Sequence, residues 1–183
     1  VIICWSGLLQ ALPNAQLYLK HKSFDDDGVR QGFQSLFAQH GITSERIRFA
    51  GQSSRDQYLA AYQEVDIGLD PFPFNGCTTT VESLWMGVPV ISLRGDRYVS
   101  HMGETLLTNA GLAEYVVNTQ NEYRAKAVSL ASNLPRLAEL RGQLRSRLLN
   151  SPICDGPGFT RDLETAYRSM WNTWCRNKDS SRQ

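Results

Sequence analysis

The chain has 183 residues, 42% of them apolar, with 19 basic against 18 acidic side chains and a formal charge of +1. That length and composition suit one globular domain with its own core. The balanced charge excludes a general attraction to nucleic acid or to an anionic membrane, and no run approaches the roughly 18 apolar residues of a membrane span.

The opening "VIICWSGLLQALPNA" has no initiating Met and starts inside an apolar helical pattern of Ile2, Trp5, Leu8, Leu9 and Leu12, as a piece of a longer protein would. Neither does it carry a basic-then-apolar signal peptide. Pro13-Asn14 ends that helix, and residues 15–20 alternate as a short strand. A helix follows from the acidic run at Asp25, with Val29, Phe33, Leu36 and Phe37 at helical spacing and Gly41 as its C-cap. A second strand spans residues 46–51. The next helix is capped by Ser53 or Ser54 and buries Tyr58, Leu59 and Tyr62.

The third strand covers residues 66–72. A Thr-rich loop leads into a helix ending near Gly87, and residues 88–93 form a fourth strand. A helix over residues 100–111 and a short strand over 113–117 complete the alternation. Apolar strands alternating with helices predict an α/β fold with a parallel sheet covered on both faces. Its ligands belong beyond the carboxyl ends of the strands, where the Thr-rich loop lies. Three helices close the chain. The middle one carries a core stripe of Leu134, Leu137, Leu140, Leu144 and Leu148, with Arg136, Arg141, Arg145 and Arg147 on a solvated face. The domain is expected to span residues 1–176, with 177–183 a disordered terminus.

Cys4, Cys77, Cys154 and Cys175 lie far apart without metal-ligand spacing, and read as reduced thiols of a cytoplasmic protein. The run "NGCTTTVESL" holds the chemistry. A helix N-terminus offers unpaired amides and partial positive charge, enough to hold a phosphate without Lys or Arg. Gly76 would let the backbone approach the ligand, and Thr78, Thr79 and Thr80 would add hydroxyl donors. The other reading is a helix cap by Thr78 alone. Glu82 falls on the same face, placed either to accept from a ribose diol or to close a capping box with Thr79. No Walker run and no G-x-G-x-x-G occurs, which turns the reading from NTPases and dinucleotide enzymes toward a sugar nucleotide.

The segment "LDPFPFNGCTTTVESLWMGVPVISLRGDRYVSHMGETLLTNAGLAEYVV" and the tail "SPICDGPGF" closely resemble the C-terminal catalytic half of the O-GlcNAc transferase family, in particular its SPINDLY branch. The resemblance implies the Rossmann-like C-terminal half of a GT-B glycosyltransferase. Such an enzyme transfers a sugar from a nucleotide donor to protein Ser or Thr hydroxyls with inversion and without a metal or other cofactor. It assigns Gly76, Cys77, Thr78, Thr79 and Thr80 to the diphosphate and Glu82 to the ribose. The segment with Ser53, Arg55 and Tyr58 would hold the base, Tyr58 standing where the family places a His. Tyr58 can equally be a core residue of its helix, and Cys77, replacing a His or Thr, is a packed side chain or backbone donor. His101 would neighbour the donor, or be an ordinary loop His.

The family's lysine-bearing stretch lies upstream of Val1, and its N-terminal catalytic half with its His, and its tetratricopeptide array, are outside this chain. Lys20 and Lys22 follow the first strand and cannot substitute for that lysine, so the chain alone is expected not to turn over. The implied donor is UDP-GlcNAc. GDP-fucose, a non-catalytic nucleotide-binding module and a sugar-nucleotide epimerase are the alternatives.

Overall fold

The computed structural model describes residues 1–180. Thirteen regular elements follow the order foreseen: α1 (Ile2–Ala11), β1 (Leu17–Lys20), α2 (Asp27–Ala38), β2 (Ile47–Ala50), α3 (Arg55–Ala60), β3 (Gly68–Leu69), α4 (Thr78–Trp85), β4 (Val90–Leu93), α5 (Met102–Asn109), β5 (Val116–Val117), α6 (Gln120–Ala131), α7 (Leu134–Leu149) and α8 (Gly156–Ser180). Every strand pairing among the described residues is parallel, but the strands form two sheets, β1–β2 and β3–β4–β5, where the alternation predicted one, because β2 and β3 do not pair. Parallel strands need a crossover, and a helix fills each one.

Local chemistry explains most boundaries. Asp26 caps α2 by accepting from the Val29 amide, and Thr119 and Asn133 cap α6 and α7 in the same way. Ser54, not Ser53, caps α3, in a full capping box with Gln57. Gly41, Gly87 and Gly111 take positive φ just beyond α2, α4 and α5, where a Cβ would be strained. The third strand is shorter than its apolar run suggests. Its ladder continues one bond further, from the Asp70 amide to the Ile91 carbonyl at 3.0 Å, before the chain turns away.

The core lies between the strands of both sheets and α1, α4, α5, α6 and α7, and includes Leu84, Ile91, Leu107, Leu112, Tyr123, Leu140, Leu144 and Leu148. The leucine stripe of α7 is buried as expected, except for exposed Leu134. The arginines between those leucines are not simply solvated. Arg141 donates to the Val65 carbonyl at 2.5 Å, Arg145 to that of Trp85 at 2.8 Å and Arg147 to that of Gly111 at 3.3 Å. Arg46 similarly gathers the carbonyls of Leu9, Leu12 and Ala15 at the end of α1. Element ends leave carbonyls without partners, and guanidinium groups reaching from neighbouring elements satisfy them.

α8 reaches Ser180, so the first four residues expected to be disordered are helical, while residues 181–183 lie outside the described residues. This helix carries Phe159, Tyr167, Met170, Trp171 and Trp174 exposed along its length. The four cysteines are free thiols. No helix among the described residues is long and apolar enough to cross a membrane.

Two substitutions in α7 should act with opposite sign in urea unfolding. Gly142 is exposed, mid-helix, with nothing within 4 Å of a built Cβ, so Gly142→Ala is expected to add about 1 kcal/mol of stability. Leu144→Ala, at a buried position, is expected to remove about 2–5 kcal/mol.

Candidate functional site

Three segments meet beyond the carboxyl end of β3: the turn from Asp70 to Cys77, the first turn of α4, and α3 with the short 3₁₀ segment after it. α4 starts where the Cys77 carbonyl receives the amides of Thr80 and Val81, each at 3.2 Å. Cys77 itself is the N-cap residue, and no side chain makes a cap hydrogen bond. The alternative reading of a Thr78 cap is therefore excluded, as is that of a Thr79–Glu82 capping box. The geometry of any helix leaves the Thr78 and Thr79 amides without an intrahelical acceptor. Among the described residues no acceptor meets either amide, and both stand at the positive end of α4.

The hydroxyls divide. Thr78 and Thr79 are exposed, while Thr80 is only 3% exposed and turned inward, so Thr80 belongs to the support of the turn rather than its outer surface. Gly76 is required for a related reason. A Cβ there would lie 2.7 Å from the hydroxyl oxygens of both Thr79 and Thr80 and 3.2 Å from Asp70 Oδ1. The glycine makes room for its own turn, a role distinct from close approach to a ligand.

Glu82 is buried one turn further along α4 and reaches α3. Its Oε1 lies 2.5 Å from Arg55 Nη1, with the glutamate side chain 11% and the arginine side chain 65% exposed. The pair is open on the arginine side. It is screened there, so it locates the two groups more than it stabilises the fold. The Arg55 guanidinium also lies 5.9 Å from the centre of the Tyr58 ring. Tyr58 and Tyr62 meet edge to face with hydroxyls 3.0 Å apart, and the Tyr62 hydroxyl donates to the Thr79 carbonyl at 3.3 Å. Burial, and then the Tyr62 hydroxyl, hold the Tyr58 phenol well above its usual range, so it stays neutral. Arg55, Tyr58, Glu82 and the Thr78–Thr79 turn thus form one contiguous wall, and Ser53 lies half-buried in the loop just before it.

The loop after β4 borders this wall, because the Asn75 amide donates to the Val99 carbonyl at 3.1 Å. Ser100 is buried and pins the loop through Arg97, accepting from its amide at 3.0 Å and donating to its carbonyl at 2.8 Å. His101, the N-cap residue of α5, has Nδ1 2.8 Å from Glu104 Oε2, an oxygen shared with Arg94 Nε at 3.1 Å. In this arrangement His101 faces its own helix's carboxylate.

Sequence reasoning missed the group underneath. Asp70 sits in the apolar run of the third strand, yet it is 4% exposed and its carboxylate accepts from the Gly76 amide at 2.6 Å and the Ser92 hydroxyl at 2.5 Å. The signal available was an acidic residue closing an apolar strand just before a Pro-rich turn. Burial pushes the Asp70 carboxyl from an ordinary 3.8 up to about 6, against the pull of its Ser92 and Gly76 hydrogen bonds.

A sequence model of glycosyl transferase family 41 matches residues 1–163. The chain is 43% identical over 176 residues to SPINDLY of Hordeum vulgare, named as a probable UDP-N-acetylglucosamine–peptide N-acetylglucosaminyltransferase, covering 96% of this chain and 19% of that protein. SPINDLY of Arabidopsis thaliana, named likewise, is 39% identical over 179 residues, or 97% of this chain and 20% of its own length. A solved structure of a mutant O-GlcNAc transferase from Thermobaculum terrenum superposes with a TM-score of 0.91 at 38% identity, over 96% of this chain and 34% of that one. The chain spans about a fifth of the length of the curated relatives it matches.

The raised Asp70 pKa has a defined effect on stability. The folded chain holds this proton more tightly than the unfolded chain, so the contribution is complete below the unfolded value of 3.8 and is lost as pH rises through about 6. A displacement of that size corresponds to roughly 3 kcal/mol. Urea unfolding from about pH 4 to about pH 7 should show the unsubstituted chain losing about that much relative to Asp70→Asn, whose side chain does not titrate. Parallel curves for the two proteins would assign Asp70 an ordinary carboxyl pKa.

Proposed function

Since this chain belongs to glycosyl transferase family 41, we propose that it is the nucleotide-sugar-binding half of a protein O-glycosyltransferase. In this reading the enzyme transfers N-acetylglucosamine from UDP-GlcNAc to Ser and Thr hydroxyls of proteins, with inversion and without a metal. The observation that carries it is the uncapped first turn of α4. Its exposed Thr78 and Thr79 stand beside a buried carboxylate, Glu82, that faces Arg55.

In an inverting displacement the acceptor oxygen attacks the anomeric carbon opposite the diphosphate. The bond to the diphosphate oxygen breaks, and negative charge grows on the departing phosphate. Donors aimed at that charge stabilise the transition state more than the bound donor, which is what lowers the barrier. The Thr78 and Thr79 amides, at the positive end of α4, and the two exposed hydroxyls would supply such donors, taking the share of charge that a divalent cation carries elsewhere. The Glu82 carboxylate would accept from the ribose diol. Arg55 and Tyr58 would form the face against which the base lies, joined to the diphosphate turn through Tyr62.

The general base and the cation that meets the leaving diphosphate are assigned to the remainder of the protein. The chain alone is accordingly expected to bind donor and not to turn it over.

Calorimetric titration with UDP and with GDP tests this. UDP is expected to bind in preference to GDP. Thr79→Ala should weaken UDP by roughly 1–3 kcal/mol, the cost of a lost charge-assisted hydrogen bond. Glu82→Ala should weaken UDP while leaving inorganic pyrophosphate nearly unchanged. A preference for GDP would reassign the donor to a GDP-sugar. If neither nucleotide binds this chain or the full-length protein that contains it, the transferase reading is wrong.

A further inference from the structure

The turn that starts α4 has no side-chain cap, so something else must hold it in one orientation. Five residues, 71–75, separate the end of the β3 ladder from Gly76, and such a loop has many conformations to choose from. Asp70 spans it. Its backbone is fixed on both sides, the amide donating to the Ile91 carbonyl at 3.0 Å and the carbonyl accepting from the Tyr123 hydroxyl at 3.0 Å. The carboxylate then divides its oxygens. Oδ2 takes the Ser92 hydroxyl on the neighbouring strand, and Oδ1 takes the amide of Gly76, the residue just before the Cys77 cap.

The second helix bordering the site begins on the same carboxylate. A Cβ on Gly103, in the first turn of α5, would lie 2.6 Å from Asp70 Oδ2 and closer still to Ser92 Oγ. Both helix starts are therefore packed around one buried acid.

We propose that Asp70 is a positioning residue for donor binding: by holding the Gly76 amide to β4 through Ser92, it aims the Thr78 and Thr79 amides at the diphosphate. The role rests on the reading of the α4 turn as the diphosphate site. Charge and geometry oppose each other here, which makes the idea decidable. A buried carboxylate beneath an anion site repels the anion, so removing it would tighten diphosphate binding if charge were its main effect. Positioning requires the reverse.

The experiment compares Asp70→Ala, Asp70→Asn and Ser92→Ala with the unsubstituted chain. It reads amide exchange at Gly76, Thr78 and Thr79 by NMR, and affinity for UDP against uridine, or for GDP against guanosine if that is the diphosphate taken. Asp70→Ala should speed exchange at Gly76 at least 10-fold and weaken the nucleoside diphosphate about 10-fold or more, with the nucleoside changed less than 2-fold, in line with the loss of a hydrogen bond to a charged group. Asp70→Asn can still accept from Gly76 and donate to Ser92, and should restore most of both losses. Unchanged Gly76 exchange, equal losses for nucleotide and nucleoside, or tighter diphosphate binding would each overturn the role. If Asp70→Ala does not fold, Ser92→Ala decides on the same criteria, since it loosens the carboxylate from the strand without emptying the site. If neither the unsubstituted chain nor the full-length protein binds a nucleotide, the site reading fails, while exchange at Gly76 still reports whether Asp70 orders the turn.

Discussion

A helix cannot satisfy the amides of its own first turn, and the organisation of this domain follows from where α4 leaves them. Four helix starts here are closed by an N-cap side chain: Asp26, Ser54, Thr119 and Asn133 each accept an amide. α4 is different. It begins at the carboxyl end of β3 on a Cys77 cap that offers no side-chain acceptor. Its donors are exposed at the point where a parallel sheet and its crossover helices open a crevice. The parallel pairing of β4 with β3 on one side and β5 on the other then fixes which loops surround that point.

Holding such a turn without filling it requires support from below. The support is polar, at a cost in desolvation that the raised Asp70 pKa records. Asp70, Ser92 and the Tyr123 hydroxyl satisfy one another and the Gly76 amide. A buried carboxylate with its bonds made can set a backbone direction that apolar packing alone leaves loose. On the open side, Arg55 engages Glu82 and lies beside Tyr58, while Tyr62 ties that face to the Thr79 carbonyl. The site is thus assembled from the β3–β4 crossover, which supplies donors for phosphate, and from the connection between β2 and β3, which supplies a polar aromatic wall.

The surrounding scaffold uses arginine in a repeated structural way. Arg46, Arg141, Arg145 and Arg147 each cover carbonyls at the ends of other elements. Four of the chain's cationic side chains are thereby committed to backbone. A near-neutral formal charge consequently says little about where free positive potential lies, and the anion site depends on amides and helix polarity instead.

Much of this was legible in the order of residues. Element type and order, the α/β class and the α7 stripe follow from apolar periodicity, which is local, and Gly41 and Gly111 marked helix ends because only glycine takes positive φ at no cost. The Thr-rich run and Glu82 marked the candidate site because helix spacing puts them on one face. What sequence spacing does not carry is partnership at long separation. Arg55 meets Glu82 across 27 residues, Tyr123 meets Asp70 across 53, and Arg141 meets Val65 across 76. So Asp70 read as one more strand residue, Thr80 as an outer hydroxyl, and the α7 arginines as solvated. The periodicities of 3.6 and 2 decide which face a side chain takes. Only the packing of distant segments decides what waits on that face, because a buried hydrogen bond depends on who else has been brought out of water beside it.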